Sequence, residues 1–142
     1  MTCPFCDPIN IERQGIFQTK SEIVLHNLYP LTKGQVLVIP KRHVTSIREL
    51  TDSEAESLLR TVKLVSQKLK ASLNPDGFNY GINEGSCAGQ TVEHLHMHIL
   101  PRFNADKIPH NHIFHKEKKP ENLTQEEMRK AVEELRAVFK AI

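Results

Sequence analysis

Two hydrophobic periods run through this chain. Ala55, Leu58, Leu59, Val62, Val65 and Leu69 recur at three- and four-residue intervals, which gathers them on one stripe of an α-helix. Ahead of them, Thr51-Asp52-Ser53-Glu54 is a capping box, the threonine reaching the third amide and the glutamate reaching back. Asn74-Pro75-Asp76-Gly77 supplies a stop and turn. A second helical stripe (Met128, Val132, Leu135, Val138, Ile142) follows a second capping box at Thr124–Glu127.

Elsewhere the period is two. Ile16–Thr19 and Glu22–Asn27 read as strands joined by a tight Lys20-Ser21 turn, with Ile23, Leu25 and Asn27 on one face. Gln35–Pro40 is a continuous apolar run suited to a central strand covered on both sides. In Phe78–Asn83, Phe78, Tyr80 and Ile82 share one face and Asn79, Gly81 and Asn83 the other. The asparagines fit either an exposed sheet face or the floor of a site, where Gly81 would admit a ligand closely. Strands, helix, strands, helix with short connections predict an α+β class. Residues 7–15 show no clear helical pattern, and Phe103–Asn122 has no sustained periodicity. His110, His112 and His115 within it read as a solvated polar loop rather than as metal ligands.

The most informative alternation lies in Gln90–Arg102, where His94, His96 and His98 alternate with Leu95, Met97 and Ile99. A β-strand sends successive side chains to opposite faces, so one face collects three imidazoles and the other an apolar trio. Such a row has three uses: a plain polar strand face, a metal site, or nucleophilic catalysis with one histidine attacking and its neighbours orienting it or handling charge. Periodicity alone does not choose between the last two.

Composition narrows the setting. The chain has 142 residues and a net charge of +2, which fits one domain over residues 1–142 with a real core. Within it, residues 1–102 form the core with the histidine row, 103–123 the loop and 124–142 the C-terminal helix. No basic stripe of the kind that tracks a nucleic-acid backbone is present, and no apolar run approaches a membrane span. The N-terminal MTCPFCDP has no signal-peptide core. Three cysteines, an odd number, argue against a disulfide framework and point to a reducing compartment, the cytoplasm. Cys3-Pro4-Phe5-Cys6 is redox-active, metal-binding or incidental on its own; two thiolates on a tight turn are half of a tetrahedral zinc site.

His-x-His-x-His followed by two apolar residues and preceded by Gly89-Gln90-Thr91-Val92 resembles the signature of the histidine triad superfamily of nucleotide hydrolases and transferases. The likeness extends through Asn27–His43 (NLYPLTKGQVLVIPKRH) and Asn83–Val92 (NEGSCAGQTV) and covers residues 3–102. It implies a five-stranded antiparallel sheet with packed helices, and a homodimer whose sheets join into one of ten strands. It implies attack of His96 on the α-phosphorus of a nucleotide, giving a nucleotidyl-histidine that water resolves. His98 corresponds to a donor to a non-bridging oxygen, Asn83, Gln90 and Thr91 to groups orienting phosphate or the leaving side, Asn27 to a ribose contact, and Leu25 to a residue bordering the base. Bacterial-type members place zinc between a Cys-x-x-Cys pair, the histidine of a Pro-Lys-x-His stretch and the first triad histidine, here Cys3, Cys6, His43 and His94. A divalent cation carried in with the substrate is a second expected metal.

The sequence mixes features of two branches. The fragile-histidine-triad branch, which splits dinucleoside polyphosphates, lacks the zinc cysteines and has Gln where this chain has Asn83. The nucleotide-binding phosphoramidase branch shares the Asn, but carries Ser at the place of Thr91 and ends in a short tail. The triad spacing and the trailing Leu100-Pro101-Arg102 resemble the polyphosphate hydrolases, with a purine nucleoside phosphoramidase as the alternative. A nucleotide-binding partner protein with incidental turnover is a third reading.

Overall fold

A computed structural model describes residues 3–109 and 123–140. The described elements run α1 (Pro8–Gln14), β1 (Gly15–Gln18), β2 (Glu22–His26), β3 (Val36–Pro40), α2 (Asp52–Leu73), β4 (Gly77–Gly81), β5 (Met97–Arg102) and α3 (Gln125–Lys140). The strands form one sheet in the order β1-β2-β3-β5-β4, antiparallel at every described pairing. The α+β class and five-stranded antiparallel sheet expected from the sequence are therefore present.

Alternation along β2 and β3 sorts their side chains to two cores. Val24, Val36 and Val38 join Val62, Val65 and Leu69 of α2 and Leu135 and Phe139 of α3 in the larger one. Ile23, Leu25, Leu37 and Ile39 join Phe5 and Val92 on the opposite side. Every residue of β2 and β3 is buried, as a doubly covered strand pair requires.

Both capping boxes form. The Thr51 hydroxyl accepts from the Glu54 amide at 3.1 Å while Glu54 accepts from the Thr51 amide at 2.9 Å; Thr124 and Glu127 repeat the pattern at 3.1 and 2.9 Å. Asn74 ends α2 in the left-handed conformation (φ 47°), which asparagine tolerates better than most residues.

Three expectations need correction. Residues 7–15, expected to lack a helix, contain α1: Asp7 accepts from the Ile9 amide at 2.9 Å as N-cap, with Pro8 at the first helical position, the pairing that favours helix starts. The histidine strand was expected from Gln90, yet β5 begins at Met97. Its ladder with β3 spans only Val36–Val38; beyond that the Pro40 carbonyl faces the His94 ring at 2.8 Å, and proline has no N–H to extend the pairing. Leu95 instead donates to the Val44 carbonyl at 2.7 Å. On α3, Phe139 is buried with Val132 and Leu135 and stacks on Phe17 at 5.0 Å between centroids, a core contact outside the expected stripe. Ile142, like His110, His112 and His115, lies outside the described residues.

Candidate active site and metal centre

The sheet face opposite α2 carries the site. Leu25, Leu37, His98 and Gly81 stand in one cross-strand row, each paired in register with the next. Above this row opens a cleft lined by Phe5, Gln14, Asn27, Leu28, Tyr29, Gln35, Leu37, Asn83, Gly89, Thr91, Val92, His96 and His98. Asn27, Asn83, Thr91, His96 and His98, all singled out in the sequence, come together there. Leu25 is fully buried beneath, in the small core with Leu37.

His96 is held on two sides. Its Nδ1 lies 2.8 Å from the His94 carbonyl oxygen. A carbonyl only accepts, so Nδ1 carries the proton and Nε2 the lone pair. The His98 ring packs edge-on at 5.1 Å and the Phe5 ring edge-on at 5.0 Å. His96 and His98 are both buried.

The loop between β4 and β5 supplies the polar rim. Gly89 has φ +95°, and a Cβ there would sit 3.2 Å from Asn83 Nδ2, so glycine lets the loop close over the asparagine. The Gln90 side chain accepts from the Gly85 amide at 2.8 Å and donates to the Thr45 carbonyl at 3.4 Å, so in this structure its amide braces the loop. Glu84 anchors the other end, accepting from the Ile47 amide at 2.9 Å and from Arg48 at 2.8 Å.

His94 belongs to a second cluster. Its Nδ1 lies 3.4 Å from Cys3 Sγ and 3.5 Å from Cys6 Sγ, and His43 Nδ1 lies 3.5 Å from Cys6 Sγ. All four donor atoms fall within 4.8 Å of one another. Zinc–sulfur and zinc–nitrogen bonds of ~2.3 and ~2.05 Å at tetrahedral angles put sulfur about 3.5 Å from nitrogen, the spacing of these three sulfur–nitrogen contacts. The His94 Nε2–H donates to the Pro40 carbonyl at 2.8 Å, leaving Nδ1 unprotonated toward the sulfurs, as an outer-shell partner of a metal-bound imidazole does.

Local electrostatics suit a cation. Burial pushes the His94 pKa below the usual histidine value and neighbouring His43 adds to this, although the Pro40 hydrogen bond opposes them; the ring is held neutral, as a ligand must be. Burial and neighbouring Cys3 push the Cys6 thiol up. The Cys6 thiol therefore resists ionisation until a positive charge stands beside it, which a bound metal ion would supply. The Cys3/Cys6/His43/His94 set can hold a metal ion.

Several lining residues escaped the sequence reading. Phe5 sits between two cysteines and Gln14 on an unexpected helix. Gln14 donates to the His26 carbonyl at 3.0 Å and Gln35 accepts from the Leu31 amide at 2.8 Å; both are buried. Their polarity gave no hint of burial, because the partners are backbone groups reached only in the folded chain.

The HIT domain model matches residues 9–105. Bis(5'-adenosyl)-triphosphatase of Dictyostelium discoideum is 38% identical over 141 residues, covering 98% of this chain and 95% of that protein. A hypothetical histidine triad nucleotide-binding protein from Sulfolobus tokodaii superposes with a TM-score of 0.78 at 31% identity, over 97% of this chain and 92% of that one. A Zn-bound histidine triad family protein from Mycobacterium smegmatis superposes with a TM-score of 0.69 at 27% identity, over 96% and 97%. With the domain model matched over residues 9–105 and a relative 38% identical over 98% of this sequence, the chain belongs to the histidine triad (HIT) family.

Proposed function

We propose that this chain hydrolyses dinucleoside polyphosphates through a covalent nucleotidyl-histidine on His96. The observation that carries the reading is the 2.8 Å contact of His96 Nδ1 with the His94 carbonyl, in a ring that lines the cleft. An imidazole attacks through one nitrogen when the other is protonated and held. Nε2 attacks the α-phosphorus, forming a P–N bond as the P–O bond to the leaving nucleotide breaks. Water then cleaves the P–N bond, releasing the nucleoside monophosphate and restoring the imidazole. His98 donates to a non-bridging oxygen, where charge gathers in the transition state. Asn83, Thr91 and Gln90 orient phosphate and leaving group with neutral donors, Asn27 engages the ribose, and Leu25 backs the base-binding wall. The name of the Dictyostelium relative supports the substrate class.

Zinc is the metal that this reading assigns to Cys3, Cys6, His43 and His94. Two sulfurs and two imidazoles close a tetrahedral shell, so the ion braces the fold and leaves the chemistry to His96. A divalent cation travels with the polyphosphate. Chains pair as a two-fold dimer through β4, an edge of the sheet, where Tyr80 is 47% exposed. An uncovered edge strand is a ready pairing surface. Three free cysteines suit a reducing cytoplasm.

Product analysis with diadenosine triphosphate, diadenosine tetraphosphate and adenosine phosphoramidate tests the reading. AMP with ADP or ATP is expected. Turnover of the phosphoramidate alone would move the chain to the phosphoramidase class, which shares Asn83. No turnover with tight AMP binding would make it a binding protein.

A further inference from the structure

One four-residue turn faces both sites. Cys6 donates its amide to the Cys3 carbonyl at 3.0 Å, and both sulfurs point to the metal cluster. Phe5, between them, is buried at 9% exposure and points to the cleft, which it lines. Its ring meets His96 edge-on at 5.0 Å and His94 edge-on at 5.9 Å. Two of the groups that hold His96 therefore hang on the metal cluster: the Phe5 ring, carried between two ligands, and the carbonyl of His94, itself a ligand. Cys6 is exposed and Cys3 half-buried; besides the cluster, the turn is held by the Phe5 ring in the small core and by the Pro4 carbonyl, which accepts from Asn10 at 3.1 Å.

We propose that Phe5 is a positioning residue that couples metal occupancy to nucleotide occupancy. With the cysteines engaged, Phe5 fixes the His96 ring and completes the cleft wall. With them released, Phe5 packing alone ties the turn to the sheet, the turn opens more often, the wall loosens, and nucleotide binds more weakly. Coupling between two sites is reciprocal, so nucleotide must retain the metal by the same factor. The inference rests on the proposed function only in taking the cleft as the nucleotide site.

The test uses zinc-loaded protein and AMP. Zinc release to a chromophoric chelator is followed with and without saturating AMP, with circular dichroism recorded alongside. AMP affinity and zinc affinity are each measured with the other site filled and empty. AMP is expected to slow release while the helix signal stays unchanged, and each ligand to tighten the other by an equal factor, on the order of tenfold. Phe5→Leu is expected to bring that factor toward one, and Phe5→Tyr, which keeps the ring, to preserve it. Equal AMP affinity with and without zinc would overturn the coupling alone; zinc-loaded protein that binds no AMP would overturn the reading of the cleft as well. Slowing seen only where helix signal and zinc are lost together would mark global stabilisation and also count against it. A full factor in Phe5→Leu would remove the role of Phe5; if that variant does not hold zinc, the wild-type measurements and Phe5→Tyr decide.

Discussion

The carbonyl oxygen of His94 accepts from Nδ1 of His96 at 2.8 Å, while the ring of the same His94 turns its own Nδ1 toward Cys3 and Cys6. One residue thus serves two clusters, its side chain standing in the set that can hold a metal ion and its backbone setting the tautomer of its neighbour. Alternation makes this possible. His94 and His96 lie on the same side of the chain, and the peptide carbonyl between them is near enough to be used by the second ring.

The protein is expected to purify with about one zinc per chain, retained on desalting. Cys3→Ser/Cys6→Ser is expected to lose the zinc and melt at a lower temperature, because structural zinc binds the folded chain and contributes directly to its stability. Metal analysis and a thermal melt check this. A zinc-free wild type that was never exposed to chelator would exclude it.

How much of this was readable beforehand varied with the range of the interactions involved. Both capping boxes and the β2 and β3 patterns are local, and each appears where the sequence puts it. Of the α2 stripe, Leu58, Val62, Val65 and Leu69 are buried, while Ala55 and Leu59 are exposed, because the helix buries a narrower face than the apolar pattern covers. The histidine alternation also holds, but the ladder beneath it is shorter: whether residues 91–96 pair depends on where β3 ends, and Pro40 settles that from more than fifty positions away. Asp7-Pro8 is a helix-start pair, but the residues after it are too few to carry an apolar stripe, so periodicity gives no sign of α1. Glu22 was not legible at all. It looks like a surface residue of a hairpin, yet it is 2% exposed and accepts from Thr19, Ser57 and Thr61 at 2.8, 2.8 and 2.5 Å. Thr19 is a neighbour in the hairpin, but only the packing of α2 on β2 brings the Ser57 and Thr61 hydroxyls to Glu22.

Arg102 and Asp106 give the fold an acid-sensitive clasp. Two guanidinium nitrogens donate to the two carboxylate oxygens at 2.9 and 2.8 Å, and Arg102 also reaches Asn79 at 2.8 Å. The Arg102 hydrogen bonds hold the Asp106 pKa well below the usual aspartate value, with the Phe103 amide helping. A carboxylate whose folded pKa is depressed adds stability above its unfolded pKa, and that stability drains away as pH falls through the folded value. Asp106→Asn is therefore expected to be less stable than wild type at neutral pH. The gap should narrow as pH falls below about 4. Urea melts across that range check the sign; a gap that widens in acid would refute it.

The β4 edge predicts association. A two-fold dimer at micromolar concentration is expected by light scattering, and Tyr80→Lys is expected to shift it toward monomer, since an edge lysine blocks strand pairing. Tyr80 is 47% exposed, so the substitution leaves the described core alone. A wild type that stays monomeric across the micromolar range would rule this pairing out.

His96 carries the sharpest prediction. It is the histidine whose ring lines the cleft with its Nδ1 committed to a carbonyl, and its Nε2 is the nucleophile the proposed reaction needs. His96→Asn keeps a polar group of similar reach but no nucleophilic nitrogen. It should lose several orders of magnitude in kcat with diadenosine triphosphate while AMP binding stays within a few-fold. His98→Asn removes one donor to developing charge, a loss on the order of 3 kcal/mol, so it should stay measurably more active than His96→Asn. Acid-quenched wild type should carry AMP on the peptide containing His96, read by mass spectrometry. The order of the two variants and the position of the adduct test different steps: the first compares nucleophile with donor, the second identifies the bonded atom. AMP mapping to another residue, or His96→Asn within tenfold of wild type, would reject the covalent route even if dinucleoside polyphosphates prove to be substrates.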